Sequence, residues 1–198
     1  IEPFACAMHA GGRARIERED VVVIAGAGTL GLGMVAAAAR LKPRALISID
    51  PVPWLRDLAL RLGATHVMEP WAEDGVAPLI AGMSGGTGCD VYIEASGHPS
   101  AVSQGLQLIK KGGRYVEFSV FNAPATVDWS LIGDAKELDI HGVSLSPFCF
   151  DRAIAGIADG SLGTEGIVTH VLPLSDFRKA FEISKKREGL KIALVPEA

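Results

Sequence analysis

The thirty residues from Val21 to Asp50 constrain this chain more than any others. Val21-Val22-Val23-Ile24-Ala25 is an apolar run that reads as a buried strand. Gly26-Ala27-Gly28-Thr29-Leu30-Gly31 follows at once. An Ala-rich helical stretch comes next, then a second apolar run, Ala45 to Ile49, ending on Asp50. Strand, G-x-G-x-x-G turn, helix, strand and acid, in that order, form the pattern that sets a dinucleotide on a helix N-terminus.

Each glycine of the turn has a physical role. Gly26 lets the chain leave the strand sharply, where a side chain would clash. Gly28 has no Cβ, so backbone can approach a pyrophosphate, and Gly31 lets the helix pack closely. Thr29 and Leu30 complete the turn at the helix start, where free N–H groups and a partial positive charge suit a phosphate. Asp50 stands 19 positions after Gly31. A carboxylate there can accept hydrogen bonds from the adenosine ribose hydroxyls and would repel a 2′-phosphate, so NAD is expected rather than NADP. Two other readings compete. The glycines could serve only tight packing in a fold without a ligand. A methyltransferase loop would run G-x-G-x-G, and Leu30 at the fifth position counts against it.

Composition narrows the class. The 198 residues are 48% hydrophobic and 21% charged, a globular balance that allows one domain with an appendage. A net charge of −4 without a Lys/Arg cluster argues against nucleic acid. Lys185-Lys186-Arg187 is a short helix-end run. No apolar stretch has the roughly 18 residues a membrane span needs. Cys6, Cys89 and Cys149 are far apart and form no C-x-x-C pair, so they are expected as reduced, buried small residues in a cytoplasmic protein. The start Ile1-Glu2-Pro3-Phe4 lacks Met and a basic segment, and it reads as a chain entered part-way.

Along the chain, a helix is expected over Pro3–Ala10, with Gly11-Gly12 and the charged run to Asp20 as a link. Strands are expected at Val21–Ala25, Ala45–Ile49, His66–Met68, Asp90–Glu94, Arg114–Ser119 and Leu138–Val143. Helices are expected near Leu30–Leu41, Pro53–Leu62, Asp74–Met83 and Pro99–Ile109, with Gly63 as a C-cap and Gly112-Gly113 as a turn. This alternation predicts an α/β fold: a Rossmann doubly wound parallel sheet with helices on both faces. The tail differs, with a helix and turn over Ser146–Gly160, strands at Val168–Leu172 and Leu190–Val195, and an amphipathic helix over Ser175–Lys186.

Several motifs together resemble the zinc-dependent medium-chain alcohol dehydrogenases, and within them the polyol branch of sorbitol, threitol and erythritol dehydrogenases. They are Glu2-Pro3, Ala7-Met8-His9-Ala10, the Val21–Gly31 fingerprint with Asp50, Asp90 to Gly97, Gly113 to Phe118, Val168-Thr169-His170 and Gly189-Leu190-Lys191-Ile192. The resemblance implies three parts: residues 1–20 as helix and linker from a catalytic domain, 21–145 as the NAD-binding domain, and 146–198 as C-terminal helices and a return strand. It also implies hydride transfer from an alcohol or polyol to NAD, with a zinc ion lowering the pKa of the substrate hydroxyl. The Cys, the His-Glu pair and the four-cysteine loop that the family carries on its catalytic domain are missing here. Glu2 matches a residue that reaches the zinc directly or through water. A single carboxylate does not fix zinc, so this stretch alone is expected to bind NAD weakly and to be inactive.

The resemblance marks further cofactor candidates. Arg56 is expected near the adenosine ribose, one position later than the family's arginine, which falls here on Leu55. Ser96-Gly97, Phe118-Ser119 and Val143-Ser144 end successive strands at the carboxyl edge, where ligands bind in such sheets. In sorbitol enzymes an arginine near Val143-Ser144 binds substrate hydroxyls, and this chain has Ser-Leu-Ser instead. Lys191 resembles a cation that approaches the pyrophosphate. Glu94, inside an apolar strand, is expected as a hydrogen-bonded structural carboxylate. His9, His66, His98, His141 and His170 have no metal spacing. A two-fold pairing through the sixth strand would make a homodimer. Two alternatives remain at this stage: a zinc-free NADPH-dependent reductase, and a non-catalytic NAD-binding or oligomerisation module.

Overall fold

The chain is described here from a computed structural model, over residues 1–71 and 75–197. Packing divides it into two units, Ile1–Gly163 and Thr164–Ala198. The helices Glu2–Ala14 and Phe150–Ala158, which the sequence boundaries at 20/21 and 145/146 set outside the nucleotide domain, belong to the first unit.

The first unit holds a six-stranded sheet: β1 (Val21–Ala25), β2 (Ala45–Ile49), β3 (His66–Met68), β4 (Cys89–Glu94), β5 (Ile109–Glu117) and β6 (Asp139–Gly142). Its order is β3-β2-β1-β4-β5-β6, and every neighbouring pair is parallel. This is the doubly wound order whose crevice opens beyond the carboxyl ends of β1 and β4. Every residue of β1, β2 and β4 is buried. Strands covered on both faces have no need to alternate apolar with polar residues, which explains their continuous apolar runs.

One face of the sheet packs on α4 (Ala77–Ser84) and α5 (Pro99–Leu108) through Ile80, Leu106, Tyr92 and Tyr115. α1 (Glu2–Ala14) and α2 (Thr29–Ala39) pack together. α2 is apolar nearly all round and lies buried between neighbours. A Cβ on Gly33 would stand 3.1 Å from that of Ala7, so the α1–α2 approach depends on small residues. α3 (Pro53–Arg61) seats Leu55, Leu58 and Ala59, and α6 (Phe150–Ala158) follows β6.

Several boundaries differ from the sequence expectation. α1 does not stop at Ala10: it runs through Gly11-Gly12 to Ala14 and ends where Arg15 turns left-handed at φ 48°. Its packing, rather than local propensity, keeps two glycines helical. β5 starts at Ile109 and includes Gly112-Gly113, with a register shift between Cys89 and Val91 of β4. Lys136 secures this irregular entry by donating to the carbonyls of Leu106 (2.6 Å), Gln107 (2.8 Å) and Ile109 (2.7 Å) at the end of α5. β5 also ends at Glu117, so Phe118-Ser119 lie beyond the strand. The expected helix start at Asp74 lies outside the described residues.

In the second unit, β7 (Val168–Pro173) and β8 (Lys191–Val195) pair in parallel and are joined by α7 (Phe177–Lys185). Of Phe177, Ala180 and Phe181, the apolar positions at helical spacing on α7, only Ala180 is buried, and Phe181 is 70% exposed. The three cysteines are free and buried. Burial pushes the Cys89 thiol up to about 12. Among the described residues no helix is long and apolar enough to cross a membrane.

The amino edge of the sheet is fastened by charge. Arg114 donates to both oxygens of Asp20 at 2.7 and 2.8 Å, and Asp20 also accepts from the Glu17 N–H at 2.7 Å. Asp90 accepts from the Val21 N–H at 2.7 Å and pairs with Lys110. Replacing Arg114 with Met should leave Asp20 buried without its partner. Urea unfolding should report a loss of about 3–5 kcal/mol.

Candidate functional site

The nucleotide turn is closed by two contacts that only glycine permits. Gly26 has φ +103°, and a Cβ there would meet the Ala95 carbonyl and the Ser96 nitrogen at 2.7 Å. A Cβ on Gly31 would lie 1.9 Å from the Gly26 carbonyl oxygen. Gly31 therefore packs against the turn itself, rather than against the strand as its sequence position suggests. Gly28 differs. Its φ of −68° suits any residue, it is exposed, and nothing lies within 4 Å of where its Cβ would be. It is the N-cap of α2 and offers no side-chain cap to the first turn. The half-buried Thr29 and Leu30 open the helix. The space over Gly28 and the uncapped helix start together fit a phosphate group.

Asp50 lies just beyond the end of β2 and is 7% exposed. Its Oδ2 accepts from the Ala27 N–H at 2.7 Å, and its Oδ1 accepts from the Val52 N–H at 2.8 Å. The acid thus ties β2 to the glycine turn. Each carboxylate oxygen still has a lone pair free for a ribose hydroxyl. Arg56 donates from Nη1 to the Asp50 carbonyl oxygen at 2.7 Å, while Leu55, at the family's arginine position, is buried. The structure thus brings Asp50 and Arg56 together.

The carboxyl edge carries the second group of candidates. Glu94 is fully buried. Its Oε1 accepts from the Ser96 N–H at 2.8 Å, the Gly97 N–H at 3.1 Å and the Ser96 hydroxyl. It is the structural carboxylate expected for that strand and folds the 95–97 loop over β4. Phe118 N–H donates to the Glu94 carbonyl at 3.2 Å, and Val143 N–H donates to the Glu117 carbonyl at 3.0 Å. Ser96-Gly97, Phe118-Ser119 and Val143-Ser144 therefore lie just beyond three successive strand ends, the last two pairs past strands that stop earlier than the sequence placed them. Leu145 and Phe148, just beyond, have left-handed φ of 55° and 58° and are exposed.

Sequence reasoning missed Glu117. It ends β5 beside Glu94 and accepts from the Ser119 N–H at 3.0 Å. Burial, then repulsion from Glu94, pushes it up to about 7, against the opposing Ser119 and Tyr115 hydrogen bonds. An acid two positions after the buried Tyr115 was the available signal, since i and i+2 share a face in a strand.

The remaining candidates lie on other elements. Glu2 is exposed at the start of α1, and its Oε1 accepts from the Cys6 thiol at 3.0 Å. Burial, with that contact next in weight, pushes Cys6 up to about 11. Among the described residues no three His, Cys, Asp or Glu side chains form a metal-binding group, so these residues do not make a zinc centre by themselves. Lys191 opens β8 in the second unit and is exposed. His98 caps α5, accepting from the Ser100 N–H at 3.3 Å, and His141 lies 3.2 Å from Arg15.

Comparison with known proteins agrees with this geometry. The profile of the family described as zinc-binding dehydrogenase matches residues 29–156. Erythritol/L-threitol dehydrogenase of Mycolicibacterium smegmatis is 45% identical over 98% of this chain and 54% of its own length. An Escherichia coli oxidoreductase of unknown specificity superposes with TM-score 0.92 at 26% identity, over 100% of this chain and 56% of that one. An alcohol dehydrogenase of Thermus sp. ATN1 superposes with TM-score 0.89 at 27% identity, over 99% and 56%. The chain spans about half the length of the curated relatives it matches.

The two kinds of glycine should separate on substitution. Gly31→Ala should destabilise the fold by about 3 kcal/mol or more, because backbone must move. Gly28→Ala should cost about 1 kcal/mol or less, as a poorer N-cap in open space. Thermal unfolding of both variants checks the contrast.

Proposed function

Because the chain belongs to the zinc-binding dehydrogenase family, we propose that it is the nucleotide-binding part of an NAD-dependent dehydrogenase that oxidises a polyol or secondary alcohol. The observation that carries this reading is the open, uncapped Gly28 in a turn that is otherwise fully packed. Phosphates sit over Gly26–Gly31. Asp50 takes the adenosine ribose hydroxyls and disfavours a 2′-phosphate, with Arg56 alongside. Ser96-Gly97, Phe118-Ser119 and Val143-Ser144 meet the nicotinamide end.

The reaction moves a hydride from the alcohol carbon to C4 of the nicotinamide and releases the hydroxyl proton. This chain's share is to bind and orient the nucleotide. Glu2 is the one residue assigned toward zinc, and the other ligands belong to the remainder of a longer protein. The relative named for erythritol and L-threitol favours a short polyol as substrate. The chain alone binds NAD weakly and does not turn over. The exposed edge strand β6 supports a homo-oligomer through sheet continuation.

The test is an initial-rate assay of the full-length protein with NAD or NADP, zinc and a panel of tetritols, hexitols and secondary alcohols. Turnover with NAD and a polyol is expected. Activity only with NADPH and a carbonyl substrate, or none with any pair, would overturn the reading. Gly28→Ala should weaken NADH binding at least tenfold, about 1.4 kcal/mol, with little effect on unfolding. Asp50→Asn keeps an acceptor for the Ala27 N–H and removes the charge. It should shift the ratio of NADH to NADPH dissociation constants toward NADPH by about tenfold.

A further inference from the structure

Glu94 and Glu117 are the last residues of β4 and β5 and stand opposite each other in the parallel register. Each lies two positions after a tyrosine, and those tyrosines, Tyr92 and Tyr115, stack with ring centroids 5.5 Å apart. The two acids therefore share the face of the sheet on which the tyrosines stack. Among the described residues no ion pair reaches either one. Two carboxylates on adjacent strand ends, both withdrawn from water, repel strongly when both are charged.

Their hydrogen bonds are unequal. Glu94 receives three donors from Ser96 and Gly97. Glu117 receives the Ser119 N–H at 3.0 Å and, at a long 3.5 Å, the Tyr115 hydroxyl. A single proton on the pair is therefore better placed on Glu117. Among the described residues, the other titratable groups on the strand ends and loops around the pair are Tyr92 and Tyr115, His98 at the N-cap of α5, whose backbone N–H donates to the Ser96 hydroxyl at 3.1 Å, and His141 of β6. Burial pushes the Tyr92 and Tyr115 phenols upward, so they stay neutral. Gly142 of β6 lies opposite Glu117. α4 and α5 contain no acidic, basic or histidine residue.

We propose that Glu117 is a positioning residue that carries a proton beside Glu94, and that this proton couples the carboxyl-edge loops to nicotinamide-nucleotide binding. The inference rests on the reading above that these loops meet the nicotinamide end. With the proton in place, Glu94 holds Ser96-Gly97 and Glu117 holds Ser119. Loss of the proton leaves two charges on neighbouring strand ends, and the strain is relieved by separating the two loops. The direction in pH follows. The folded chain holds the proton up to about 7, against 4.5 for an ordinary glutamate. The stabilisation is thus fully present below the ordinary value and is lost as pH rises through about 7.

NADH binding to the full-length protein, followed by nicotinamide fluorescence from about pH 5.5 to about pH 8.5, should weaken about tenfold as pH rises. Glu117→Gln should reduce that change to about twofold or less. Wild-type affinity that does not change with pH, or an unchanged pH slope in the variant, overturns the coupling alone. Absence of NADH binding at every pH overturns the nucleotide reading together with the coupling. Carboxyl-carbon NMR of the wild-type chain gives a check that does not depend on the variant folding. One glutamate should titrate near neutrality, and finding none there overturns the proton on Glu117.

Discussion

The nucleotide turn depends on one buried carboxylate. Asp50 accepts from the Ala27 N–H on one oxygen and from the Val52 N–H on the other, so a single side chain fixes the end of β2, the start of α3 and the turn between β1 and α2. The turn cannot relax around that tie. Gly26 is against the β4–α5 loop and Gly31 is against the Gly26 carbonyl. In a packed interior, contacts of this kind give a rigid shape rather than an adjustable one. The space over Gly28 is therefore defined in advance of any ligand, which lowers the ordering cost of binding.

The two ends of the sheet handle charge in opposite ways. At the amino edge every buried acid has a basic partner: Asp20 with Arg114, and Asp90 with Lys110. At the carboxyl edge Asp50, Glu94 and Glu117 take hydrogen bonds from backbone N–H groups and nearby hydroxyls instead. A buried acid paired with arginine is fixed and silent. An acid held by N–H groups shapes the loops that carry those groups. This asymmetry places the loop-shaping acids on the edge where ligands bind in doubly wound sheets.

Much of this was legible in the residues. β1, β2 and β3 fall where the sequence placed them, because short apolar runs bounded by Gly, Pro and polar residues have few alternatives. The α/β class and the glycine turn were legible for the same reason: each rests on local steric requirements. What was not legible depended on distant partners. Gly11 and Gly12 remain helical because α1 is packed. The entry of β5 depends on Lys136, which arrives from far along the chain. Glu117 becomes a site residue only because the register puts it beside Glu94.

Arg56 shows how far a pattern can be carried. The family position falls on Leu55, and a rule applied by offset would conclude that the adenosine grip is lost. On α3, however, Leu55 faces the core with Leu58 and Ala59, and the next residue reaches back to the Asp50 carbonyl. One position is about 100° around a helix, and a long flexible side chain can span that difference. The guanidinium therefore reaches the backbone of that acid. Conserving the charge near Asp50 requires only that some side chain reach it, whereas conserving the turn requires glycine at two fixed positions. Spacing is thus a strict guide where backbone must touch backbone, and a loose one where a flexible side chain closes the gap.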